Sequence, residues 1–404
     1  MVSPKVILLL LLALHFDAFA QDMAPIKIGT NCTFEGPSAE MGISMRSALR
    51  IAIGEINAVG GILGRKIQLI ERDDKANPDI GKAIAEELVH KEKVVATIGY
   101  CNSGVAANAI DIYQDAKVPL IIPVATGTSL TQKFSPPAAR DNYIFRIAMP
   151  DQLQVDFILK KIIDERHLSK IAIFADDTGY GEGGLRDIER LLRLRGMKPV
   201  IVERFKPGVA DLKPALIRAR EGGANVLFSY ALGPDLATIS MGRQAIDWRV
   251  QEAGPWVVGF RNHIDLAGDA ADGGIMPQTY IQDGVMNERS TALILQYAKN
   301  NIAKNIPCAM CAAQTYDAMY LLLNALFRTK KIDGPSIRLA LENLDRRIPG
   351  VIASYQKPFS KLDHEALDSS ILVLGQIKHG LVQYADPADA TRGAVFSRSK
   401  AIEK

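Results

Sequence analysis

The stretch Val94 to Thr131, VVATIGYCNSGVAANAIDIYQDAKVPLIIPVATGTSLT, constrains the fold more than any other part of the chain. Val94 to Ile98 and Leu120 to Val124 are short apolar, β-rich runs, the second just after Pro119. Between them Val105, Ala109, Ile112 and Ala116 keep roughly helical spacing, so the unit reads as a β-α-β crossover. Parallel strands put both following turns at carboxyl ends on one side of a sheet, where open α/β sheets bind ligands. The first turn, Cys101-Asn102-Ser103-Gly104, opens the helix. Asn or Ser there is ordinarily an N-cap, while free backbone N–H groups beside a hydroxyl also suit a ligand carboxylate. The second turn, Ala125-Thr126-Gly127-Thr128, adds another hydroxyl and small residues that let a ligand approach the backbone.

The same stretch resembles the ligand-binding segment of the periplasmic leucine/isoleucine/valine-binding protein family, the type I solute-binding components of ABC importers. The likeness continues through Phe34-Glu35-Gly36-Pro37, Asn57-Ala58-Val59-Gly60-Gly61-Ile62-Leu63-Gly64-Arg65 and Asp73-Asp74. Downstream it includes Tyr143-Ile144-Phe145-Arg146, Asp177-Thr178-Gly179-Tyr180-Gly181 and Gln314-Thr315-Tyr316-Asp317-Ala318. Each motif alone is only glycines and apolar residues; their order and spacing carry the resemblance. It implies an α/β fold of two doubly wound parallel-sheet lobes joined by a three-crossing hinge. Residues 21–148 and 279–350 would form the first lobe, 149–278 and 351–386 the second, and 387–404 a polar tail with little to bury.

A length of 404 residues suits two domains, and 48% hydrophobic with 23% charged residues is ordinary for a soluble globular protein. A net charge of +3 with scattered Lys and Arg gives no argument for nucleic acid. At the amino terminus Lys5, the apolar core Val6 to Leu14 and Ala18-Phe19-Ala20 form a cleavable secretory signal over residues 1–20. Its core is roughly half the ~20 apolar residues that a membrane span needs. Ile43 to Asn57 is expected as a helix ended by Gly60-Gly61. Trp256 to Gly259 is expected as a strand, Gly273 to Tyr280 as the second crossing and Ile348 to Ala353 as the third.

Export places the four cysteines in an oxidising compartment. Sequence alone allows three pairings. The resemblance makes the strands that end near Cys32 and Cys101 neighbours, and so implies that bridge. Cys308 and Cys311 would then be a second bridge or a free pair. No metal site is expected, since none of the six His lies near a cysteine pair in sequence. Catalysis finds no support: G-x-S-x-G and H-E-x-x-H are absent, and the His residues are isolated. Gly179 to Gly184 lacks the Lys-Ser/Thr of a phosphate loop, so no nucleotide cofactor is expected. Asp73-Asp74 reads as a solvated turn, because adjacent residues of an extended segment point to opposite faces.

From the resemblance, Ser103, Ala125 and Thr126 would hold a ligand carboxylate, with Asn102 and Val124 in the same turns. Tyr180 matches the aromatic that the second lobe lays across the ligand. Three positions depart from the family pattern. Met41 stands where an aromatic is common and Leu232 where a tyrosine hydroxyl often sits, which makes the cleft more apolar. Arg261 stands where amino-acid binders have a carboxylate for the α-ammonium, leaving Asp176, Asp177 or Asp235 as substitutes. The implied function is an extracytoplasmic, periplasmic solute-binding protein, monomeric, that closes on a small hydrophobic carboxylate such as a branched-chain amino acid. An ABC permease in the inner membrane would read the closed form. An organic acid lacking an ammonium, or a sensing role on the same fold, is the alternative.

Overall fold

The computed structural model describes residues 24–282, 286–300, 306–391 and 397–399. The expected signal, residues 1–20, lies outside the described residues. No helix among those described is long and apolar enough to cross a membrane.

The first sheet runs in the order β2-β1-β3-β4-β5, all parallel. Its strands are β1 (Ile26–Cys32), β2 (Ile67–Asp73), β3 (Ala96–Ile98), β4 (Leu120–Ile122) and β5 (Ile144–Arg146). The helices α1 (Ala39–Ala58), α2 (Pro78–Glu86) and α3 (Ser103–Asp115) are the crossovers. Asn77 caps α2, its side chain accepting from the N–H groups of Asp79 and Ile80, with Pro78 in the first turn. After α1 the chain turns at Gly60 and Gly61, whose φ of 107° and 81° lie in the region that favours glycine.

The second sheet is ordered β14-β13-β10-β9-β8-β6-β7. It comprises β6 (Ile171–Asp176), β7 (Ile201–Phe205), β8 (Val226–Tyr230), β9 (Gln251–Ala253), β10 (Ile275–Gln278), β13 (Val373–Lys378) and β14 (Leu381–Tyr384). The helices α4 (Asp151–Leu159), α5 (Gly179–Leu194), α6 (Lys213–Glu221), α7 (Gly233–Ala245) and α8 (Arg261–Ala267) belong to this lobe. The inner strands β3, β4, β6 and β8 are buried along their whole length, Phe174 and Phe228 fully so, as sheets covered on both faces require.

Four expectations change. Trp256 to Gly259 is a 3₁₀ turn, and the strand is the less apolar Gln251–Ala253. Gly254 and Pro255 stop the ladder, and the apolar run that follows is buried at the strand's carboxyl end instead. The second crossing follows β10, which still pairs with β9 and β13. The third crossing is later than Ile348 to Ala353. The carboxylate of Asp317, on α10 (Ala309–Arg328), accepts from the N–H groups of Val351 and Ile352 at 2.6 and 2.9 Å and keeps that segment on the first lobe. The chain then lies alongside β5, Arg146 N donating to His364 O and Ala366 N to Arg146 O, so it crosses between Ala366 and Val373. The tail also has a structural partner: β15 (Ser397–Ser399) runs parallel to β12 (Ser354–Gln356), which pairs with β11 (Ile348–Pro349).

Candidate ligand-binding site

The carboxyl ends of both sheets face each other across one cavity. It is lined by Met41, Cys101, Asn102, Ser103, Val124, Thr126, Tyr180, Leu232, Trp256 and Val257, and about 250 Å³ of it is free of protein atoms. Seven of the nine residues singled out from sequence are in that lining. Trp256 and Val257 were missed because their run reads as a strand.

The first-lobe wall is tied together locally. Ser103 begins α3, and its Oγ accepts from Gly127 N at 3.0 Å, joining the two turns. Asn102 occupies the N-cap position without a capping bond, and the Thr33 hydroxyl donates to its Oδ1 at 3.3 Å. Cys101 is bridged to Cys32, with Cα atoms 5.3 Å apart, and Cys308 is bridged to Cys311. Asp74 corrects the solvated-turn reading. It is fully buried, accepting from Thr33 Oγ1 at 2.8 Å and Ala76 N at 2.9 Å, and burial raises its carboxyl. It braces the loops after β1 and β2 behind this wall. Ala125 is buried with its N–H given to Tyr100 O at 3.0 Å, and it is absent from the lining.

Arg261 is the clearest departure. Its guanidinium donates to Gly380 O at 2.9 Å, pairs with Asp265 and lines a separate cavity beside Phe260. It opens α8, whose next residue turns toward the first lobe instead. Asn262 N donates to Glu40 Oε2 at 3.1 Å and its Nδ2 to Pro37 O at 2.7 Å. The three substitute aspartates also miss the cavity. Asp176 accepts from Thr178 N at 3.0 Å and from the Thr178 hydroxyl, while Thr178 itself caps α5. Asp177 is exposed, and Asp235 accepts from Gly208 N at 2.8 Å.

Other second-lobe groups, not flagged by the sequence, come near the cavity. Asp151 begins α4 at 1% exposure, and burial pushes its carboxyl up to about 6. Burial also raises the Tyr230 hydroxyl well above its usual range, as it does that of the sequence-flagged Tyr180, and on the first lobe it pushes Glu40 up to about 8.

The two lobes meet on either side of the cavity. Thr128 Oγ1 donates to Asp187 Oδ2 at 2.6 Å, opposite the Glu40–Asn262 contact. Between these, Gly104 and Gly179 touch: a Cβ on Gly179 would lie 2.8 Å from the Gly104 Cα. The two helix starts approach this closely because both carry glycine there.

Residues 25–373 match the family described as periplasmic binding protein. The leucine-specific-binding protein of Salmonella typhimurium is 30% identical over 274 residues, 67% of this chain and 72% of that protein. A type 1 periplasmic binding protein from Bordetella pertussis superposes with a TM-score of 0.80 at 21% identity, covering 89% of this chain and 99% of that one. A branched-chain amino acid transporter substrate-binding protein from Streptococcus pneumoniae, solved with isoleucine, gives 0.77 at 22% identity over 89% and 98%.

Proposed function

The chain belongs to the periplasmic binding protein family, whose relatives here are binding proteins and not enzymes, and from that premise we propose that it captures a hydrophobic amino acid outside the cytoplasm for an ABC importer. The observation that carries this reading is the composition of the closed cavity. Ser103 and Thr126 stand at two adjoining turns, one of them a helix start, while Met41, Val124, Leu232 and Trp256 make most of the remainder apolar. Such a site takes a carboxylate at one end and an alkyl or aromatic body at the other. Desolvating the carboxylate is offset by charge-assisted bonds of roughly 1.5–3 kcal/mol each.

Hinge closure supplies the readout. The lobes touch through Thr128–Asp187, Gly104–Gly179 and Glu40–Asn262, contacts that exist only when the cleft is shut. A permease then recognises the shut form. The organic-acid alternative rested on the lost ammonium partner at Arg261 and on Asp176, Asp177 and Asp235 pointing away from the cleft, which they do; the relatives, named for the amino acids they bind, favour the amino-acid reading over it. The test is calorimetric titration with leucine, isoleucine, valine, phenylalanine, benzoate and phenylpyruvate. Tight binding of at least one amino acid supports the reading; binding of benzoate or phenylpyruvate alone overturns it.

A further inference from the structure

A row of three buried polar side chains runs through the second lobe, outside the ligand cavity. Ser240 on α7 and His263 on α8 are wholly buried, and Glu252 in the middle of β9 is 4% exposed. Ser240 Oγ stands 2.6 Å from Glu252 Oε1 and 3.0 Å from His263 Nε2. The other imidazole nitrogen, His263 Nδ1, lies 2.7 Å from Val258 O. That carbonyl belongs to the 3₁₀ turn Trp256–Gly259, whose Trp256 and Val257 line the ligand cavity. At its other end the row reaches solvent, since Glu252 also lines an open pocket with Arg243, Arg249 and Asp272. Glu252 is thereby joined to the cavity wall without lining the ligand's space.

A carbonyl oxygen only accepts, so His263 Nδ1 donates to Val258. Ser240 Oγ has two close partners and a single hydrogen to give. One of its two contacts therefore takes a hydrogen from elsewhere, either from the Glu252 carboxyl or from His263 Nε2. Burial disfavours the charged form of both: it raises the Glu252 carboxyl and pushes the imidazole down to about 4. The neutral pair then has Glu252 donating to Ser240 and Ser240 donating to His263 Nε2. Once Glu252 ionises, Ser240 gives its hydrogen to the carboxylate, and Nε2 faces an oxygen with no hydrogen between them. A buried acceptor without a donor is costly, so the imidazole and the turn it holds shift. Arg243 is the charge that opposes the neutral form, its Nε 3.3 Å from Glu252 Oε2, but its Nη1 and Nη2 donate to Trp248 O and Ala270 O. Asp265 on α8 pairs with Arg261, Asp272 accepts from His379 N and Gly380 N, and Asp247, Arg249 and Asp269 are exposed.

We propose that Glu252, when protonated, positions the Trp256–Val257 wall of the ligand cavity through Ser240 and His263, and that its ionisation releases that wall. Glu252 is a positioning residue, out of contact with the ligand. A carboxyl raised in the folded protein contributes stability that is complete below the ordinary carboxylate range and lost as pH rises through its folded value. The placement of the turn stands on the row alone, whereas its effect on affinity rests on the reading of this cleft as the ligand site.

The chain has two tryptophans, Trp248 and Trp256, so Trp248→Phe makes the fluorescence of Trp256 a report on the wall. In that protein without ligand, the emission shifts in one transition as pH is raised from about 5 to about 9. Affinity for the tightest binder among leucine, isoleucine, valine and phenylalanine falls severalfold along the same curve. Adding Glu252→Gln, whose amide always has a hydrogen for Ser240, holds the low-pH emission and affinity throughout. Adding Ser240→Ala instead breaks the row and removes the transition, with the emission held at its high-pH position. Glu40→Gln, which removes the raised acid at the lobe contact, leaves the emission transition in place. An emission that ignores pH, a transition that survives Glu252→Gln or Ser240→Ala, or one that Glu40→Gln abolishes overturns the proposal. Affinity that stays flat while the emission titrates overturns the positioning role. If the emission titrates as stated and none of the four amino acids binds, the row is upheld and the cleft reading falls.

Discussion

The two walls of the cleft treat their polar groups differently. On the first-lobe side Ser103 is engaged by Gly127 N, Asn102 by Thr33, and Thr33 in turn by Asp74. A disulfide at Cys101 pins the same turn to the end of β1. On the second-lobe side Asp151, Tyr180 and Tyr230 are buried beside an apolar lining and adjoin one another, the two tyrosine rings 4.8 Å apart. The first wall is held by a disulfide and by hydrogen bonds between its own turns, the second by aromatic packing around a buried acid. A preorganised wall costs little to bind against.

The largest expected effect tests how far the first wall depends on its covalent brace. Replacing Cys32 and Cys101 by Ser removes a bridge spanning a sequence separation of 69 residues, which costs about 4.4 kcal/mol of stability on a chain-entropy basis. Thermal unfolding measures it, and a change under 1 kcal/mol would show that the wall is rigid without the bridge. Next comes the anion contact. Ser103→Ala with Thr126→Ala removes two hydroxyls, and affinity falls about a hundredfold if each contributes about 1.4 kcal/mol. Melting of the empty protein shifts slightly, since Gly127 N loses its acceptor. Unchanged affinity by calorimetry would take these turns out of the site.

A third test acts on contact between the walls alone. Gly179→Ala sets a Cβ 2.8 Å from the Gly104 Cα, so closure must leave the lobes slightly apart. Ligand affinity falls about tenfold or more, a loss of at least 1.4 kcal/mol, while unfolding of the empty protein is unchanged; small-angle scattering of the liganded form reports the more open shape. Wild-type affinity would show that the glycine contact is dispensable.

The smallest effect is in pH. Burial pushes Glu40 up to about 8, with Asp265 adding to it and the N–H groups of Asn262 and Arg261 opposing. A raised carboxyl disfavours its ionised form in the closed state. The stabilisation is complete below the ordinary carboxylate range and is lost as pH rises through about 8. Affinity should therefore fall severalfold between pH 6 and 8.5, and Glu40→Gln should flatten the decline. A profile identical in the two proteins would assign the pH dependence elsewhere.

Much of this was legible in the sequence because it is local. Apolar β runs alternating with helical spacing gave the two lobes, and a Ser at a helix start next to small residues gave the first wall. The second wall was not legible. Arg261 occupies the expected position, but Gly380, distant along the chain, fixes its direction together with Asp265 one helical turn on. Asp151 follows Pro150 at a helix start and looks like an ordinary first-turn acid. Only the approach of Thr126 from one lobe and Tyr230 from the other makes it a buried group.

The sequence by itself determined the α/β class, because strand period, helix period and turn chemistry are properties of neighbours along the chain, and its resemblance to a known family implied the two lobes and most of the residues that line the cavity. The tertiary structure alone decided the place of the third crossing, which the Asp317 carboxylate sets by holding Val351 and Ile352. It alone also decided that Asp151 is buried beside Thr126 and Tyr230. Burial and pairing depend on what other segments bring to the same point, and no local pattern encodes that.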